Sequence, residues 1–176
     1  LIKLITSEGK KENFESFISL LNLQNNIYKI AVNDHLYPTI DQLAREFSLE
    51  ISLNREVFSN KSSEWLGFHF KNENLEKINL KISFSFNVKR GVNQFIFGYT
   101  YLDQKLKNQF NYDKILKTFS EYFESKWQTE GWLIIKNYDD FYNWDNLNTL
   151  KEIIHGNFKE DFKKKVKILL DIVKNF

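Results

Sequence analysis

The sequence predicts an α+β fold: an antiparallel sheet of about four strands, near residues 65–70, 80–86, 94–100 and 132–136, packed by several amphipathic helices. Three observations carry that expectation. First, Trp65-Leu-Gly-Phe-His-Phe70, Leu80-Lys-Ile-Ser-Phe-Ser-Phe86 and Gln94-Phe-Ile-Phe-Gly-Tyr-Thr100 are runs of strand length, rich in aromatic and β-branched residues. Second, Leu80, Ile82, Phe84 and Phe86 alternate with Lys81, Ser83 and Ser85, as in a sheet with one buried and one wetter face. Third, beyond Asp103 the apolar period changes from two residues to about 3.6, so helices follow the strands.

Taken in order, Phe14, Phe17, Ile18 and Leu21 share one helical face over residues 11–21, and the polar cluster 22–26 interrupts it. Ile27-Tyr-Lys-Ile-Ala-Val32 reads as a short strand ended by Asn33-Asp34. After Pro38, Thr39 is placed to cap a helix whose apolar side carries Ile40, Leu43, Ala44 and Phe47. The pattern weakens from Glu50 to Ser63, and residues 59–63 read as an exposed loop. Residues 87–93, with Lys89-Arg90-Gly91, form a hairpin loop short enough to require antiparallel pairing.

A helix starting near Asp113 carries Ile115, Leu116, Phe119, Tyr122 and Phe123, and Gly131 introduces the strand Trp132-Leu-Ile-Ile-Lys136. Asp145 or Asn146 can cap a helix with Leu147, Leu150, Ile153 and Ile154, which Gly156 ends. The last helix has Phe162, Val166, Leu169, Leu170 and Val173 on one stripe, and Lys163, Lys164, Lys165 and Lys167 largely off it.

A length of 176 residues suits a single α+β domain with a helical N-terminal portion over about residues 1–60. Such a chain buries roughly two thirds of its unfolded surface. An aromatic share of 16%, with 17 Phe, means that rings fill the core. The formal charge of +2 comes from interspersed acids and bases without a long block of either sign. The absence of Cys removes disulfides, thiolate nucleophiles and Cys-ligated zinc, and fits a reducing compartment, so a cytoplasmic location is expected. No apolar run reaches the roughly 18 residues that span a bilayer, so no membrane partner is expected. A chain that starts at Leu1 and holds no Met is expected to be preceded by at least one residue. No Gly-rich phosphate loop, nucleophile elbow or dinucleotide fingerprint occurs, and no cofactor or metal is called for.

Histidine is the residue type that would first mark a metal or acid–base site. His35 follows Asp34 in a turn-like stretch, and His155 stands before Gly156, where a helix C-terminal dipole accounts for it. Neither a helical pair four apart nor a strand pair two apart exists. His69 is the more informative one, because alternation puts it with Trp65 and Gly67 on the side opposite Leu66, Phe68 and Phe70. If Lys81, Ser83 and Ser85 share that side, the sheet offers a ring, an imidazole and an ammonium, which suit a ligand or nucleic acid held by stacking and charge. Lys89 and Arg90 at a hairpin tip could track phosphates, though two basic residues on a loop are more simply solvated. The lysines at 163–167 share their helix with Glu160, Asp161 and Asp171, a mixed solvated face. Asp139-Asp140, Asp103 and Asp113 raise divalent-metal chemistry, but lack a second acidic cluster.

The order Ser63-Glu-Trp-Leu-Gly-Phe-His-Phe70, an alternating strand, Phe95-Ile-Phe-Gly-Tyr99, Gly131-Trp132 and an Asp-Phe-Tyr-Asn-Trp144 stretch before two helices resembles the C-terminal region of bacterial PD-(D/E)XK nuclease-like proteins. In those chains this region follows the catalytic core. Their catalytic signature is an acid on one strand and (Asp/Glu)-x-Lys on the next, with the acids holding Mg²⁺. Here Lys81 is preceded by Asn79, and Asp103-Gln-Lys105 lacks an acid on the strand before it, so no family catalytic residue is carried over. The resemblance implies a non-catalytic accessory or binding domain that contacts nucleic acid or a protein partner. The alternative is a divergent hydrolase using His69 or His35 with nearby carboxylates.

Overall fold

Alternation on the middle strand and the short links around it produce the antiparallel sheet in the computed structural model. It describes residues 19, 23, 26, 27, 29–53, 65–87, 94–124, 126–141, 143, 144, 146–174 and 176. The strands among them are β1 (Glu50–Leu53), β2 (Trp65–Lys71), β3 (Leu80–Asn87), β4 (Phe95–Tyr101), β5 (Lys126–Thr129) and β6 (Trp132–Asn137). All pairs are antiparallel, in the order β1-β2-β3-β4-β6-β5. The described helices are α1 (Tyr37–Glu46), α2 (Glu73–Lys77), α3 (Asp113–Tyr122), α4 (Leu147–Ile154) and α5 (Asn157–Lys174), and a π-helical turn, Ala31–Leu36, leads into α1. No described helix is long and apolar enough to cross a membrane.

The α+β class and the antiparallel sheet agree with the sequence, but the sheet has six strands rather than about four. The two additional strands are its edges. Glu-Ile-Ser-Leu of β1 is only four residues long, and Lys-Trp-Gln-Thr of β5 is exposed throughout, so neither bears the buried alternation by which a strand is read. The strand expected at Ile27–Val32 is a correction of another kind: Ile27, Lys29 and Ile30 have helical backbone and Ala31 opens the π-helical turn. Val32, Leu36, Ile40 and Ala44 are buried at a spacing of four residues, so the β-prone run begins a helical stripe that pays no attention to Asn33-Asp34. Tertiary burial overrides local propensity there.

The helix expected over 11–21 lies outside the described residues apart from Ser19, as do the loop at 59–63 and the hairpin loop after Asn87. Thr39 does not cap α1: it lies inside the helix, which runs on from the π-helical turn with Leu36 at its N-cap and no side-chain cap, so no free helix end is left for Thr39 to cap. Other local signals hold. Asn146, not Asp145, caps α4, its side chain accepting from the Asn148 N–H at 2.8 Å, and Gly156, at φ 90°, ends the helix. The unforeseen α2 is capped by Asn72, which accepts from the Leu75 N–H.

One side of the sheet makes the core. Phe68, Phe70, Ile82, Phe84, Phe86, Phe97 and Tyr99 are fully enclosed. Phe162 of α5 wedges edge-on against Phe84, with centroids 4.7 Å apart, and stacks on Phe158 at 5.2 Å. Two polar groups inside are bonded: the Tyr99 hydroxyl donates to the Leu169 carbonyl at 2.5 Å, and the Trp144 indole N–H donates to the Phe141 carbonyl at 2.8 Å. With its aromatic side fixed in this way, the sheet must turn His69, Lys81 and Ser83 the other way.

Candidate functional site

Register assembles the opposite side into rows that cross the sheet. One row runs Ser52, His69, Ser83, Gly98, Ile135, Trp127, from β1 through β2, β3, β4 and β6 to β5. In the next, Glu50 pairs with Lys71 and Lys81 pairs with Thr100; continuing the register by one residue sets Lys71 beside Lys81. A third holds Gly67, Ser85 and Ile96. This side is polar as expected, yet its middle is not wet. Ser83 is 0% exposed, and Ser85, Thr100, Ile96 and Ile135 are also buried, while His69 and Lys81 are half-buried. Two glycines let the strands close up: a Cβ on Gly67 would stand 2.2 Å from the Phe84 carbonyl oxygen, and one on Gly98 2.0 Å from that of Ile134.

Three side chains form a hydrogen-bonded chain across β2, β3 and β4. His69 Nδ1 lies 2.7 Å from Ser83 Oγ, which lies 2.5 Å from Thr100 Oγ1. Burial, and then the positive charge of Lys81, lower the His69 pKa to about 4, so the imidazole is neutral at physiological pH. Burial also lowers the Lys81 pKa. Lys81 has no carboxylate partner among the described residues, whereas Lys71 next to it binds Glu50 at 2.8 Å and Glu76 at 2.9 Å. These acids raise the Lys71 pKa and absorb its charge.

Other sequence-derived candidates have local roles. Trp65 opens β2 opposite Asn87, and Lys89 and Arg90 lie outside the described residues. His35 sits in the π-helical turn, and His155 is the C-cap of α4. Asp103 caps a 3₁₀ turn, accepting from the Lys105 N–H at 2.8 Å, while Asp113 lies in the first turn of α3. Asp139 pairs with Lys136 at 2.7 Å, and Asp140 follows it in a 3₁₀ turn. In the lysine run, Lys163 pairs with Glu46 and Lys165 with Asp161. Among the described residues, no group of three or more His, Asp or Glu could hold a metal ion. Open concavities lie elsewhere, one lined by Asp41, Arg45 and Ile51, another by Ser120, Trp127 and Ile134.

Sequence reasoning brought His69, Lys81 and Ser83 together through alternation alone. It missed Thr100, which only register reveals: with Phe84 opposite Phe97, counting back along β3 reaches Lys81 opposite Thr100. No family model matches the chain, and no curated protein or solved structure shows significant similarity to it.

Proposed function

We propose that this chain is a non-catalytic binding domain, an accessory part of a nuclease-related bacterial protein, that contacts nucleic acid through the polar side of its sheet. The observation that carries this reading is the company His69 keeps: a hydroxyl and an ammonium. An imidazole whose pKa is lowered to about 4 is a weak general base at neutral pH. Its hydroxyl partner, Ser83, is fully enclosed and held by Thr100, out of reach of a substrate carbon or phosphorus. The half-buried His69 and Lys81 serve binding better, because they offer a ring nitrogen and an ammonium that has no carboxylate partner among the described residues. Trp127, 40% exposed and in the row of His69, adds a ring on which a base can stack. The nuclease-related part of the proposal rests on the sequence resemblance carried by the Trp-Leu-Gly-Phe-His-Phe, alternating and Phe-Ile-Phe-Gly-Tyr stretches.

The test is fluorescence anisotropy of labelled single-stranded DNA and RNA with the purified chain over a salt series. Affinity is expected to fall as salt rises, since phosphate contacts release counterions. Binding that is insensitive to salt, or capture of a protein partner with no affinity for either nucleic acid, overturns the nucleic-acid part. Metal-dependent cleavage of the probe, lost on replacing Asp103 or Asp139, overturns the non-catalytic part.

A further inference from the structure

Most of the partly buried lysines here have an acid, Lys159 of α5 being an exception among the described residues. Lys136 has Asp139, Lys165 has Asp161, Lys163 has Glu46, and Lys71 has both Glu50 and Glu76. Lys81 is another exception. It lies in the middle of the sheet rather than at an edge, is half-buried, and has no carboxylate among the described residues. Desolvating an ammonium without a counter-charge is unfavourable, and a Met or Gln of similar reach would avoid the cost.

The hydrogen-bonded chain beside Lys81 supplies the second half of the observation. His69, Ser83 and Thr100 can be polarised in three ways; in one, His69 Nδ1–H and the Thr100 hydroxyl both donate to Ser83, which leaves neither end with a donor. If Ser83 donates to His69 Nδ1 and Thr100 donates to Ser83, the imidazole carries its proton on Nε2 and presents that N–H outward. If Nδ1–H donates to Ser83 and Ser83 donates to Thr100, the hydroxyl of the buried Thr100 is left free to donate. In these two arrangements the chain ends in a donor, and Lys81 is the register partner of Thr100, while its charge lowers the His69 pKa. A positive charge next to a neutral donor matches an oxygen anion.

We propose that Lys81, flanked by Thr100 and by the His69–Ser83 pair, is a binding site for a phosphate-type oxyanion. This rests on the binding-domain reading above and names the group that reading must recognise. The anion supplies the counter-charge that no carboxylate among the described residues provides, and its source is either a free phosphate or a phosphodiester of a nucleic acid strand.

The experiment is a titration of the purified chain with inorganic phosphate and, separately, with a short single-stranded oligonucleotide, followed by amide and side-chain NMR shifts. It is run on the natural protein, Lys81→Met and Lys81→Arg, with thermal unfolding measured in parallel. The expected result is saturable shifts centred on Lys81, Thr100 and His69. Lys81→Met weakens binding by about tenfold or more, as loss of a charge-assisted hydrogen bond does. Lys81→Arg retains it, and Lys81→Met unfolds at the same or a higher temperature in phosphate-free buffer. Shifts by phosphate alone support the site and assign it a free phosphate, at the expense of the nucleic-acid reading. Shifts by the oligonucleotide alone support both and assign the phosphodiester. If the oligonucleotide binds equally to the natural protein and Lys81→Met, the site is overturned and the binding-domain reading stands. If neither ligand shifts these residues, or if Lys81→Met is markedly less stable, the site is overturned as well.

Discussion

His69 is an imidazole between a hydroxyl and an ammonium, and its neutral state is part of the folded structure. The unfolded chain takes up a proton near pH 6.5, whereas the fold refuses it until about pH 4. Above pH 6.5 the group is neutral in both states and adds no slope. As pH falls from 6.5 towards 4 the unfolded state binds more protons than the native one, so stability drops, by up to about 3 kcal/mol once both pKa values are passed. Urea unfolding at pH 7, 5.5 and 4.5 should show this slope for the natural protein and a flatter one for His69→Gln. An unchanged slope in the variant would mean that the imidazole is charged or solvated in the fold. His69, Lys81 and Ser83 were legible as a group because alternation is a local property of one strand. Thr100 was not, because its place beside Lys81 depends on a pairing between strands. The enclosure of Ser83 was equally hidden, since a serine facing away from a Phe-rich side reads as wet.

Among the elements, those that carry a buried periodic face were legible: β2, β3, β4, β6, α1, α3, α4 and α5 all match segments the pattern predicts. Those without one were not. β5 is exposed along its length and β1 is half so, and their identity comes from the neighbouring strand's unpaired backbone rather than from their own side chains. The helical turn at Ala31–Leu36 was lost for a different reason: its buried stripe only becomes visible when residues 31–44 are taken as one element. Strand closeness yields a sharp prediction at this scale. Gly98 lies between β3 and β6 with no room for a methyl group, because the Ile134 carbonyl oxygen and the Ile135 backbone occupy the space. Gly98→Ala must separate β4 from β6, at a cost of about 3 kcal/mol or more. Chemical denaturation of this variant checks it, and a loss under about 1 kcal/mol would show that the ladder flexes there.

At the scale of the molecule, the aromatic content of the sequence announced how the core is filled, and Phe162 is where its parts meet. Its ring contacts Phe84 of β3, Phe68 and Phe70 of β2, and Phe158 of its own helix. Phe162→Ala removes all of these at once at a fully enclosed position, so a loss of about 3–5 kcal/mol is expected in equilibrium unfolding. Phe162→Leu should recover much of it. The order of the strands, by contrast, was not legible, because nothing in the residues between Tyr101 and Trp132 says which strand of the last hairpin meets β4. That order has a consequence for how the chain assembles. β2, β3 and β4 follow one another along the chain and can zip together through short connections, but β6 reaches β4 only after the intervening segment has been wrapped around. Because β6 rather than β5 makes that junction, β5 can peel away and rejoin without breaking the β4–β6 ladder. The edge strand can therefore open locally while the cooperative unit that includes the Lys81 row stays closed.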